Sequence, residues 1–165
     1  MNLLLCVMVT GIGATALTDV WTVARRSLLN VPAPDYGLVG RWLAWSARGR
    51  FRHSPISASP SVPLERLVGW SAHYVIGICF AALLLAVCGS EWFRNPALLP
   101  ALLTGVCTVA APFLLMQPGM GAGIAASRTR NPGIARLHSL ITHCIFGMGL
   151  YVAGLVASYL FVWSA

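Results

Sequence analysis

Asp19, His73 and His143 are the residues whose types and positions could do chemistry, because each is ionisable and each lies inside a long apolar run. An aspartate deep in a membrane helix costs about 2.5–3.5 kcal/mol on insertion scales, so it is expected to face other helices and find a partner. Asp19 lies six residues before Arg25, and His73 lies seven after Arg66. With the first helix running inward and the second outward, the two side chains are expected at similar depth. His73 is then the first candidate partner of Asp19, and His143 the second.

Three kinds of function fit these residues. The first is structural: buried membrane histidines hydrogen-bond across helices at around 0.6 kcal/mol each, and the chain serves as a structural, accessory or assembly bundle. The alternative is transport, sensing or proton relay through an Asp19, His73 and His143 layer, since imidazole changes charge close to neutral pH. The second alternative is a b-type haem with His73 and His143 as axial ligands, making the chain an electron carrier. No second histidine pair accompanies them, so no cofactor is expected on the first reading. No catalytic residue is assigned: Glu65 and Glu91 lie at helix borders, Asp35 reads as a cap, and no serine sits in a nucleophile elbow. The sequence therefore points away from an enzyme, without reaching one that embeds His and Asp in the membrane.

The elements that must hold these residues follow from composition. Of 165 residues, 58% are hydrophobic and 9% charged, where a soluble domain carries about a quarter charged. A bilayer core of roughly 30 Å needs about 20 apolar residues per helix. Four such stretches can be laid along the chain, at residues 2–24, 67–88, 97–116 and 137–163. The connectors 25–66 and 117–136 are too short and too rich in Pro and Gly to bury an independent core. The expectation is an all-α membrane protein, a four-transmembrane-helix bundle forming a single integral domain over residues 1–165.

All eleven basic residues are arginine, and the net charge is +7. Arg25, Arg26, Arg41, Arg48, Arg50, Arg52 and Arg66 lie in the first connector, Arg128, Arg130 and Arg136 in the third, and Arg94 alone in the second. That is the positive-inside pattern. It places the first and third connectors in the cytoplasm and both termini outside, and it accounts for the arginines through topology and lipid headgroups without nucleic acid. Residues 1–8 hold no basic residue, so the first apolar run reads as a retained helix, although Ala14-Thr15-Ala16 imitates a cleavage site. Cys6, Cys79, Cys88, Cys107 and Cys144 fall within the helices without close pairing and read as apolar packing residues. Whether any metal binds is left open.

Sliding the chain by seventy positions aligns Arg66-Leu67 with Arg136-Leu137, His73 with His143 and Gly77 with Gly147. Helices one and two, then three and four, are thus expected to be two tandem hairpins, parallel and not inverted. Residues four apart share a helix face, giving one stripe of Gly69, His73, Gly77 and Ala81 and another of Ser139, His143, Gly147 and Tyr151. Small residues let membrane helices approach closely, so each histidine is expected to point at a helix and not at lipid. The first helix carries a comparable stripe of Gly11, Thr15, Thr18 and Thr22.

In the first connector, Leu38, Val39, Trp42, Leu43 and Trp45 can share a helical face, with Asp35 as N-cap. This reads as a short interfacial amphipathic helix in the inner headgroup layer, with an irregular loop as the alternative. Arg41, Arg48, Arg50 and Arg52 are the candidate headgroup contacts, and the last three, interleaved with Phe51, could also grip an anionic ligand. Pro55, Pro60 and Pro63 suggest an extended linker beyond them. Gly121 to Ala126 matches a loose dinucleotide fingerprint, but no strand is expected ahead of it, and the segment reads as a tight turn or short close-packed helix. The expected partners are the bilayer, anionic headgroups, and a membrane-protein partner or a second copy.

The runs Tyr36-Gly-Leu-Val-Gly-Arg-Trp42, Arg48-Gly-Arg-Phe-Arg-His53, Gly69-Trp-Ser-Ala-His-Tyr74, Met116-Gln-Pro118, Ala135-Arg-Leu-His-Ser-Leu140 and Phe146-Gly-Met-Gly-Leu-Tyr151 resemble a bacterial membrane-protein family, domain-of-unknown-function family 2938. The resemblance covers nearly the whole chain and implies an inner-membrane location. It implies no activity and assigns no catalytic or binding residue.

Overall fold

The computed structural model describes residues 2–163. Among them the chain is 77% helical and contains no strand. Four helices are long and apolar enough to cross a membrane: Leu3–Leu29, Glu65–Cys88, Leu98–Met120 and Pro132–Phe161. Their outward sides keep large apolar side chains exposed, among them Leu4, Val23, Leu67, Val87, Leu99 and Val152, which suits lipid and not water.

Helix α1, Leu3–Leu29, starts where the Asn2 side chain accepts the Leu5 amide at 3.3 Å. Hydropathy alone ends it at residue 24. Arg25 and Arg26 are good helix formers, and the helix continues until Asn30 closes it in the left-handed region, at φ 52°. Helix α2, Tyr36–Ser46, is capped by the Asp35 carboxylate, which accepts the Gly37 amide at 2.8 Å. Helix α3 is Glu65–Cys88, and the short α4 is Glu91–Arg94.

The third span is not one regular helix. Helix α5, Leu98–Cys107, gives way to a turn, a wide π-type turn over Pro112–Met116 and then α6, Gln117–Met120. Pro112 lacks the N–H that would continue the ladder, so the helix widens there. Helix α7 runs Pro132–Ser158, with proline at its first position where no N–H is needed, and ends in a π-type turn over Tyr159–Trp163.

The chain forms two compact units. The first holds residues 1–33, 74–108 and 141–165. Its core joins Cys6, Ala14, Leu84, Phe93, Ala101 and Leu150. Trp92 and Phe93 of α4 are buried in it, with the Trp92 indole donating to the Ala97 carbonyl at 3.1 Å. Of the cysteines, Cys6 is wholly buried while Cys79 and Cys107 are exposed.

The second unit holds residues 34–73 and 109–140. Proline and glycine content predicts linkers here, but the connectors fold onto α2 and onto each other. The Trp42 indole donates to the Phe51 carbonyl at 2.9 Å, and the Trp45 indole to the Pro60 carbonyl at 3.1 Å. Trp42 also lies against Gly119, where any side chain would meet the indole. The His53 amide donates to the Gly119 carbonyl at 2.9 Å, and Ile56 is buried. The segment 117–126 is a short helix followed by turns, with Gly121 and Gly123 at positive φ.

Candidate functional site

Three antiparallel helix pairs repeat one arrangement: a glycine pair lets two backbones touch, and one or two turns away two polar side chains bond. In the first unit, α1 meets α3 at Gly11 and Gly77. A Cβ on Gly11 would lie 2.5 Å from the Cα of Ile78 and 2.9 Å from the Gly77 carbonyl. One turn from Gly77 and two turns from Gly11, the Tyr74 hydroxyl donates to Asp19 Oδ2 at 2.9 Å. The threonines of the α1 stripe are buried, and Thr15 and Thr18 return their hydroxyls to the carbonyls of Gly11 and Ala14.

In the same unit, α5 meets α7 at Gly105 and Gly147. A Cβ on Gly105 would lie 2.5 Å from the Cα of Gly147. One turn away, His143 Nδ1 is 3.0 Å from the Thr108 hydroxyl and 3.2 Å from the Gly105 carbonyl. The Thr108 hydroxyl itself donates to that carbonyl at 2.6 Å. A carbonyl only accepts, so these bonds assign a hydrogen to Nδ1.

In the second unit, α2 meets α3 at Gly40 and Gly69. Side chains there would overlap the backbone of Glu65 and of Tyr36. One turn away, the Tyr36 hydroxyl is 3.0 Å from His73 Nε2. The Tyr36 ring stacks on His73, with centroids 4.3 Å apart, and on Trp70 at 4.5 Å. The residues fully buried on α2 are Gly37 and Gly40, so its closest contact is through glycine and not through the Leu and Trp face.

The four candidate arginines divide. Arg41 is held inside the chain: its Nε and Nη2 bond both oxygens of Glu65 at 2.8 Å, and Nη1 donates to the Ser59 carbonyl at 3.0 Å. The Glu65 carboxylate raises the Arg41 guanidinium above its already high ordinary pKa, so the cation persists throughout the accessible range. Arg48, Arg50 and Arg52 are exposed. The guanidinium groups of Arg48 and Arg50 stand over the Trp45 ring, at 5.3 and 5.8 Å from its centroid.

Asp19 and His143 thus lie in one unit and His73 in the other, each with a neighbour that the sequence stripes did not single out. Tyr74 and Tyr36 are visible afterwards as aromatics one residue and one helical turn from marked positions. Thr108 follows Gly105 by three, the spacing of a shared face. His53 carried no such signal. It is 6% exposed, with Nδ1 2.8 Å from the Ser59 hydroxyl and Nε2 3.0 Å from the Arg50 carbonyl, so it ties together the segment predicted as a linker. Among the described residues, no three His, Cys, Asp or Glu side chains gather closely enough to hold a metal ion.

A family model described as a protein of unknown function (DUF2938) matches residues 8–157. No curated protein and no solved structure is similar to the chain.

Proposed function

We propose that this chain, which belongs to the DUF2938 family, is a multi-pass inner-membrane protein that works as a structural or accessory bundle for a membrane-protein partner or a second copy. Both termini lie on the periplasmic side, because every arginine except Arg94 falls on the stretches 25–66 and 117–136. The exposed Arg48, Arg50 and Arg52 meet anionic headgroups, with α2 at the inner interface and its tryptophans at headgroup level.

One observation carries the reading. Asp19, His73 and His143 each have a hydroxyl partner on another helix, near a close glycine crossing. That is how polar groups act when they fasten helices. Gly77 and Gly147, seventy residues apart, each take the close contact with the long helix before them, which supports two tandem hairpins.

The Asp19→Asn protein tests this against proton relay. Asparagine keeps an oxygen for the Tyr74 hydroxyl but cannot carry charge. Reconstituted in vesicles with a trapped pH dye, wild type and variant are expected to match protein-free vesicles in proton flux, and to unfold within a few degrees of each other. A wild-type flux abolished by Asp19→Asn, in a variant that still folds, would replace the structural reading with a relay.

A further inference from the structure

The chain has four side-chain carboxylates, and each has a partner within the chain: Asp19 takes the Tyr74 hydroxyl, Asp35 the Gly37 amide, Glu65 both arms of Arg41, and Glu91 the Arg94 guanidinium. Arg25 has none of them. It is 9% exposed, on the buried face of α1 that also holds Thr18 and Thr22, and its Nε–H has no acceptor among the described residues. One turn earlier, the Trp21 indole N–H is likewise covered and without an acceptor.

Residues four apart share a helix face, and long side chains lean back over the preceding turn. Arg25 and Trp21 therefore share one face of α1, a turn apart. Both groups can only donate, and one bears a full positive charge. A buried cation is costly unless a counter-charge and hydrogen bonds come with it. With every carboxylate side chain engaged elsewhere among the described residues, that counter-charge comes from outside. Two donors one turn apart, one of them a guanidinium, suit the several oxygens of a tetrahedral oxyanion better than a single point acceptor.

We propose that Arg25 and Trp21 form a binding site for a phosphate-bearing anion on α1. In the membrane its source is the phosphodiester of an anionic phospholipid; inorganic phosphate shares the chemistry. This site differs from the exposed Arg48, Arg50 and Arg52 in that its donors are sequestered, so it retains one molecule instead of attracting a diffuse layer. It does not depend on the accessory role proposed above.

The full chain in an uncharged mild detergent, titrated with phosphatidylglycerol or phosphatidylcholine and read by native mass spectrometry, tests the site. Wild type is expected to hold one phosphatidylglycerol at concentrations where phosphatidylcholine is lost. Trp21→Phe, which removes only the N–H, should weaken that binding roughly tenfold, and Arg25→Gln by more, as expected for hydrogen bonds to a charged group. Arg26→Gln, at the exposed neighbour, should change it less than about twofold. Displacement of the lipid by millimolar inorganic phosphate would support the oxyanion site with phosphate as its free source, and resistance to displacement would support the lipid. If Arg25→Gln does not fold, Arg25→Lys keeps the charge without the planar fork and should still lose several-fold. Equal phosphatidylglycerol affinity in wild type, Trp21→Phe and Arg25→Lys would overturn the proposal, as would retention of a partner protein's acidic segment by Arg25 in place of any phosphate.

Discussion

His73 and His143 occupy matching sequence frames, yet their settings differ. His143 bonds Thr108 on the long helix that precedes its own, beside the Gly105 and Gly147 contact. His73 bonds Tyr36 on α2, and its neighbour Tyr74 bonds Asp19 on the preceding long helix. What the two halves share is the glycine one turn on, Gly77 in one and Gly147 in the other. A backbone crossing constrains its residue absolutely, because any Cβ collides. A hydrogen-bond partner can be exchanged for another at a cost of tenths of a kcal/mol.

The strongest way to break this comparison is at the glycines. Gly77→Val and Gly147→Val should each cost about 3 kcal/mol or more, since the backbone of Ala101 and Leu102 stands in the way at Gly147 and the buried Thr15 hydroxyl, held on the Gly11 carbonyl, stands in the way at Gly77. Thermal unfolding in detergent would read both as loss of a folded species. Gly133, also on α7, has open space around it. Gly133→Ala should therefore be neutral or stabilising by up to about 1 kcal/mol. A tolerated valine at only one of the paired glycines would sink the equivalence of the two crossings.

A smaller effect separates the halves. The Arg41–Glu65 latch clamps α2 to the start of α3, with 14% and 20% of the two side chains exposed. Arg41→Lys loses the fork and the Ser59 contact together, at about 1–2 kcal/mol. Limited proteolysis should then cut the 47–64 segment faster while leaving the first unit intact. A raised guanidinium pKa gives stability that is complete below the unfolded value and lost only as pH rises through the folded one. The latch should accordingly hold from neutral pH to at least pH 10. Release of α2 on mild alkalinisation would show that Arg41 is not its fastener.

Much of this was legible in the sequence. Apolar runs and arginine spacing located four spans, and the stripe of Gly11, Thr15, Thr18 and Thr22 is the buried face of α1. The Asp35 cap follows from local chemistry and needs no tertiary information. The break near Pro112 was missed because hydropathy averages over a proline. The second unit was missed for a different reason. Its fasteners are indole and guanidinium groups reaching main-chain carbonyls, at sequence separations from nine to eighteen, and no periodicity marks a carbonyl as an acceptor. His53 belongs to the same class. Tyr36, Tyr74 and Thr108 fall between these limits: their faces were computable, but which face would meet which helix was not.

The finest test weighs the two histidine bonds directly. Double-mutant cycles of Thr108→Val with His143→Ala, and of Tyr36→Phe with His73→Ala, should each return a coupling near 0.6 kcal/mol, because both remove one hydrogen bond of about 3.0 Å between helices. Tyr36→Leu should cost a further ~0.5–1.5 kcal/mol beyond Tyr36→Phe, since phenylalanine keeps the stacking on His73 and Trp70 and leucine does not. Thr108 offers no ring, so the His143 side has no such second increment. If Tyr36→Phe already loses everything that Tyr36→Leu loses, the hydroxyl alone holds α2 to His73, and the two histidine sites are more alike than their surroundings suggest.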